Sequence, residues 1–226
     1  MDLNDSLIHV SMAEADILNL SEEIDKVLLA GADVIHLDMS EGQDFAIQFR
    51  PNFVTILREY AQGASIGVEL GALKDESDID ALVDAAVDYI LLRPPAVGDV
   101  SSAMKMIKFC GCKIGLSLNG ESDIERYSEL FDQLDFICVS VNEAVAAESG
   151  ISYEDIRGVS LAENLITKAQ HDCDIWVSGG VTSMNIPVLM KLGATGFIVG
   201  RSLFKNQDYY TMVAGLKKAI RSSATV

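Results

Sequence analysis

An α/β fold is predicted, a single (β/α)8 TIM barrel formed by residues 1–226 as one domain. Three observations carry the prediction. Apolar, strand-like runs recur at about 6–11, 33–38, 65–70, 88–92, 113–118, 135–140, 174–178 and 196–199, each followed by a helix-like stretch, and eight β-then-α units imply a closed parallel barrel. Of the 226 residues 49% are hydrophobic, enough to bury one large core. No Pro/Gly/Ser-rich linker, low-complexity tract or long charge block breaks the alternation. An open doubly wound sheet is the competitor, but it does not usually need eight such units in so short a chain. No Gly-x-Gly-x-x-Gly follows the first strand either, so no nucleotide cofactor is expected.

In a barrel one face of each strand packs on helices and is apolar, while the other fills the interior, so strand parity assigns each residue a side. In the first strand Ile8 and Val10 face the helices and Ser11 faces inward; His9 also points inward, one layer deeper, and reads as a hydrogen-bonded core histidine. In the second, Ile35, Leu37 and Met39 take the outer side and leave His36 and Asp38 together on the inner one. The next helix can open at Pro51. The third strand turns Ile66, Val68 and Leu70 outward and Glu69 inward, and the fourth, with Ile90 and Leu92 outward, ends on an inward Arg93. Ser101 and Ser102 then precede an apolar-periodic stretch that reads as helix.

The fifth strand sets Ile114, Leu116 and Leu118 outward and Asn119 inward. Lys113 falls at its opposite end, so no lysine reaches the mouth and Schiff-base chemistry is disfavoured. Cys110, Cys112, Cys138 and Cys173 show no Cys-x-x-Cys spacing and read as reduced packing thiols, and His171 reads as a surface residue at a helix end. In the seventh strand Ile175 and Val177 leave Ser178 inside; Gly193 ends the helix that follows, and Phe197 and Val199 of the eighth strand put Gly200 inside.

Every polar inward residue so assigned lies at a strand's C-terminal end, apart from His9. Ser11, His36, Asp38, Glu69, Arg93, Asn119 and Ser178 therefore converge on one mouth, the end at which such barrels carry their chemistry. Charge buried there needs a metal, an ion pair or a ligand. His36, Asp38 and Glu69 could hold a divalent metal, with zinc, manganese and iron all compatible. Alternatively the Arg93 guanidinium pairs with Asp38 or Glu69 and is itself the cation. Two glycine turns, Ser178-Gly179-Gly180 and Gly200-Arg201-Ser202, follow the last two strands, where barrels seat phosphate on backbone N–H groups.

Composition excludes other classes. With 17 basic and 34 acidic residues the chain has a formal net charge of −17, which repels nucleic acid and anionic membrane surfaces. The N-terminus MDLNDSLIHV lacks a targeting pattern. No apolar run approaches the ~20 residues of a membrane span, and a cytoplasmic location is expected.

SMAEADILNL, AGADVIHLDMSEG, VSGGV and IVGRSLF together resemble the ribulose-phosphate 3-epimerase family, nearly end to end. The resemblance implies a ribulose-phosphate-binding type of barrel, a phosphorylated ketose as substrate and a dimer or larger homo-oligomer. By the same resemblance His36 and Asp38 match metal ligands, Asp38 matches one of two acid/base carboxylates, Ser11 touches substrate, and Gly179, Gly180, Gly200 and Arg201 hold phosphate. The departures are specific. Glu69 stands for the family's third-strand histidine and Ser178 for its seventh-strand aspartate. VNEAVAAESG replaces the glycine-rich loop after strand six, offering only Asn142 and Gly150 in matching character, and Ser40 and Gly71 replace two methionines.

The usual four-ligand metal centre is thus incomplete. Epimerisation through an enediolate needs one base and a second acid on the opposite face, and serine cannot replace aspartate in that role. Glu69 ranks above Glu41 as the second carboxylate, because Glu69 points inward and Glu41 lies in a loop. Three readings follow: an epimerase of ketose phosphates with a rebuilt metal site, another phosphosugar isomerase or lyase on the same barrel, and a non-catalytic sugar-phosphate binder.

Overall fold

Eight apolar runs become eight parallel strands that pair in chain order and close, β8 against β1. The computed structural model describes residues 6–39, 49–71, 76–94, 100–141, 151–206 and 208–224. The strands are β1 (Leu7–Ser11), β2 (Val34–Asp38), β3 (Ser65–Leu70), β4 (Tyr89–Leu92), β5 (Lys113–Asn119), β6 (Phe136–Ser140), β7 (Asp174–Ser178) and β8 (Ala194–Val199). Between and after them run α1 (Leu20–Leu29), α2 (Pro51–Tyr60), α3 (Glu76–Asp84), α4 (Val100–Phe109), α5 (Gly120–Tyr127), α6 (Tyr153–Ala169), α7 (Ile186–Lys191), α8 (Arg201–Phe204) and α9 (Tyr209–Ser223). Pro51 opens α2, and Gly193, at φ 93°, turns the chain after α7. Ser101 and Ser102 do not precede their helix as expected: both lie in the first turn of α4. Ser40, Glu41, Asn142 and Gly150 lie outside the described residues.

Parity sorts the core into two layers. Outward side chains, Ile8, Ile35, Val68, Ile90, Leu116, Ile137, Val177 and Phe197 among them, join the helices in the larger one. The barrel's interior is a smaller cluster of Leu91, Phe136, Cys138, Trp176 and Ile198, with Leu7 and Tyr89 against it. Phe136 and Trp176 stack there at 3.7 Å between ring centroids. Two strand glycines make room for them: a Cβ on Gly115 would fall 2.2 Å from the Phe136 ring, and one on Gly196 2.4 Å from Trp176. The rings plug the lower barrel, which leaves polar side chains at the C-terminal end only the space above.

A recurring aspartate ties the strands in pairs. The Asp33, Asp88 and Asp135 amides donate to the carbonyls of Ile8, Ile66 and Ile114, and their carboxylates accept back from the same three isoleucines' amides at 2.8–2.9 Å. Each link joins an odd strand to the turn that opens the next even one. Arg58 of α2 adds a clamp at this end of the barrel, donating to the carbonyls of Ala64 (2.6 Å), Ala85 (3.3 Å) and Ala86 (2.5 Å) and to Asp88 (2.9 Å). Ala86 sits in the left-handed region at φ 52°, a conformation the clamp helps to hold. Arg58→Met should therefore lower stability by about 2–3 kcal/mol in urea unfolding, since three carbonyls lose a charged donor. A loss within experimental error would show that water replaces the clamp.

Candidate active site

The mouth is assembled from the ends of β1 to β4. Parallel register sets Asp38 beside Glu69 and Ser11 beside His36. Inward parity on two adjacent strands thus brings three ionisable groups together without any loop. His36, Asp38 and Glu69 are 1%, 4% and 4% exposed, and each offers one ligand atom within 4.8 Å of the others. His36 Nε2 stands 4.0 Å from Glu69 Oε2, an ion-pair distance longer than a hydrogen bond.

Each carboxylate has its own partner. Ser11 Oγ donates to Asp38 Oδ2 at 2.6 Å. Arg93, just past β4, reaches Glu69 Oε1 through Nε at 3.1 Å and Nη2 at 2.5 Å, so of the two carboxylates sequence left open it pairs with Glu69. The environments push the two acids apart. Burial, helped by the nearby Glu69 charge, raises the Asp38 pKa above the ordinary aspartate value, despite His36, Ser11 and Arg93. Burial acts in the same sense on Glu69, but His36 and Arg93 outweigh it and hold that carboxyl below its ordinary value. Divergent neighbours of this kind are how one site supplies both a proton carrier and a fixed charge.

Farther round the rim, Ser178 donates to Ser140 at 3.4 Å, and Ser140 lies 2.8 Å from Ser117. Ser117 and Ser140 went unnoticed in the sequence, although the same parity rule points both inward. Beneath them, burial drives the Cys138 thiol well above its ordinary range, so it is neutral packing; all four cysteines are free. Asn119 does not join the cluster. It is exposed, with its backbone amide bonded to Asp123 at 3.1 Å, because it leads directly into α5. His9 is buried as expected, but the hydrogen bonds expected of it are absent: neither nitrogen has a partner among the described residues. Its neighbours inside the barrel include the rings of Tyr89 and Trp176, and burial with His36 nearby holds its pKa well below the ordinary value.

The two glycine turns lie side by side after β7 and β8. Gly179 and Gly180 have φ of 85° and 62°, and a Cβ on Gly179 would strike the Val141 carbonyl at 2.4 Å. Asn185 closes the first turn by accepting from the Thr182 amide and donating to the Gly180 carbonyl, both at 2.9 Å. Ser202 Oγ donates to the Val181 carbonyl at 3.2 Å and links the turns. Gly200 packs against Ser11, which connects this region to the acidic cluster. The Arg201 guanidinium bonds Glu14 at 3.1 Å, so a role in holding an anion would rest on its backbone amide.

The ribulose-phosphate 3 epimerase family model matches residues 7–204. The chain belongs to that family. Curated relatives agree: it is 30% identical to the ribulose-phosphate 3-epimerase of Serratia marcescens over 207 residues, 90% of this chain and 97% of that one. With the Escherichia coli (strain K12) enzyme of the same name it shares 29% over 218 residues, 95% and 96% of the two chains. The class read from sequence, a carbohydrate-phosphate epimerase or isomerase, follows from this membership.

Solved structures support the fold. A 3-hexulose-6-phosphate synthase from Salmonella typhimurium superposes with a TM-score of 0.76 at 16% identity, covering 96% of this chain and 99% of its own. A 3-keto-L-gulonate-6-phosphate decarboxylase from Vibrio cholerae does so at 0.74 and 14%, covering 96% and 98%. Among the described residues no helix is long and apolar enough to cross a membrane.

Proposed function

We propose that this chain acts on a phosphorylated ketose, moving a proton at the carbon beside the carbonyl through an enediolate, with Asp38 as the proton carrier. The observation that carries the reading is the splitting of the carboxylate pair. Asp38, with its pKa raised by burial, takes and returns a proton nearer to neutral pH than an ordinary aspartate does. Ser11 aims it by holding one carboxylate oxygen. The glycine turns after β7 and β8 seat the phosphate, where local backbone N–H groups can bind an anion against an overall charge of −17. A KGPDC from Streptococcus mutans, of the same fold, has been solved in complex with a sugar phosphate, which supports a ligand of that class in this mouth.

His36, Asp38 and Glu69 fit a divalent cation. Their donors lie within 4.8 Å of one another, and both His36 nitrogens lack a hydrogen-bond partner among the described residues. The set of one imidazole and two carboxylates suits zinc, manganese or iron. When bound, the cation supplies positive charge to the oxygens of the enediolate. Arg93 fixes Glu69 and brings a second positive group to the rim.

Inversion also needs an acid on the opposite face. Glu69, held ionised by Arg93 and His36, is poorly placed to donate at neutral pH. This favours a second reading, a one-base aldose–ketose isomerisation through the same enediolate. Incubation with ribulose 5-phosphate and related ketose phosphates in heavy water, followed by NMR, separates the two. Deuterium at C3 with inverted configuration supports epimerisation, whereas aldose formation supports isomerisation. Tight binding without any exchange would leave a sugar-phosphate binder and end the catalytic reading. A homo-oligomer is the expected assembly, checked by sedimentation velocity.

A further inference from the structure

Neither His9 nor His36 has a hydrogen-bond partner on either ring nitrogen among the described residues, and both side chains are buried. Four orphaned polar atoms inside one barrel are costly unless something binds them. The rings meet edge to face, 6.1 Å apart between centroids. His36 turns Nε2 toward Glu69, which leaves Nδ1 as its second polar atom. A Cβ on Gly67 would lie 3.2 Å from His36 Nδ1 and 3.5 Å from His9 Nδ1, so both nitrogens border the same bare glycine face. Trp176, at 4.2 Å between centroids, and Tyr89, at 5.3 Å, pack against His9.

An imidazole that binds a cation through Nε2 carries its proton on Nδ1, and that N–H needs an acceptor to fix the ring and its tautomer. We propose that His9 is a positioning residue for His36: a single water seated against Gly67 joins the two Nδ1 atoms and holds His36 with Nε2 free for a divalent cation. The inference rests on the metal reading given above. It assigns a use to a histidine that neither the acid/base chemistry nor the phosphate turns require. It also gives a reason for glycine at position 67, where any side chain would enter the space between the rings.

Co2+ titration of the metal-stripped full-length protein tests it, followed by calorimetry and visible absorption, with a thermal melt of each variant. His9→Phe keeps a ring against Trp176 and removes the acceptor. Gly67→Ala places a methyl group where the water sits. His9→Asn returns a polar atom near the Nδ1 position. Co2+ affinity should fall about tenfold or more in His9→Phe and Gly67→Ala, with unchanged melting temperatures, and His9→Asn should recover most of the loss. Wild-type affinity in His9→Phe or in Gly67→Ala would overturn the proposal. So would an equal loss in His9→Asn and His9→Phe, or a loss that follows lowered melting temperatures. A wild-type protein that binds no Co2+ would overturn the metal reading and this inference with it, whereas failure of the variants alone leaves the metal reading standing.

Discussion

Asp38→Asn is expected to lower turnover of any ketose phosphate substrate by about 10³-fold, the scale of losing a positioned general base. It should do so without loss of fold. Folding raises the Asp38 pKa, chiefly by burial, so its contribution to stability is fully present below the unfolded-state pKa and is lost as pH rises through the folded-state pKa. At neutral pH the ionised carboxylate therefore opposes folding, and an amide of the same shape, still able to accept from Ser11, removes that charge. Thermal melts at neutral pH should show the variant at least as stable as wild type, with the difference shrinking in acid. The rate has the opposite pH sense. As base, Asp38 must be ionised, so kcat/KM should decline on acidification in a window above the ordinary aspartate value of 3.8. An inactive variant that also melts early, or a wild-type profile flat down to that value, would contradict the assignment.

Glu69→Ala carries the second large effect, because Glu69 serves two partners. Arg93 holds one of its oxygens and His36 faces the other. Removing one member of a buried pair commonly costs about 3–5 kcal/mol. Here the Arg93 side chain is 32% exposed and can turn to water, which reduces the expected loss to about 2 kcal/mol. Metal content of the purified protein should fall to background, and activity by about 10²-fold, the upper range for loss of groups that hold a metal site together. The double variant Glu69→Ala/Arg93→Met separates the two roles. Its unfolding free energy should recover toward wild type, since no cation is left unpaired, while its metal content should stay at background. Recovery of metal in the double variant would show that Glu69 serves only to neutralise Arg93.

The sequence carried a good part of this site on its surface. Alternation in the second and third strands was enough to put His36, Asp38 and Glu69 inside, because a pleated strand buried on both faces has only two sides and the helix-facing one must be apolar. The family match rests on the same runs. Asn119 went astray for a local reason: at the last position of a strand, parity still points inward, but the chain is already turning into α5 and the side chain meets solvent. Ser117 and Ser140 were readable by the same rule and were overlooked. The aspartate links at 33, 88 and 135 repeat in the sequence as an Asp at the head of every second strand, yet their bonds to the preceding strand become visible only once register is known.

What the sequence determined by itself was the barrel and the side of the wall on which each strand residue stands. Those follow from local stereochemistry and from the requirement that helices cover an apolar face. Tertiary structure alone decided that Arg93 pairs with Glu69 and not Asp38, that Ser11 holds Asp38, and that His9 and His36 share a bare glycine face without bonding any described group. Those outcomes depend on strand register and on differences of an ångström between groups far apart in the chain. In a buried, weakly screened interior such differences set which charges pair and which proton is free to move.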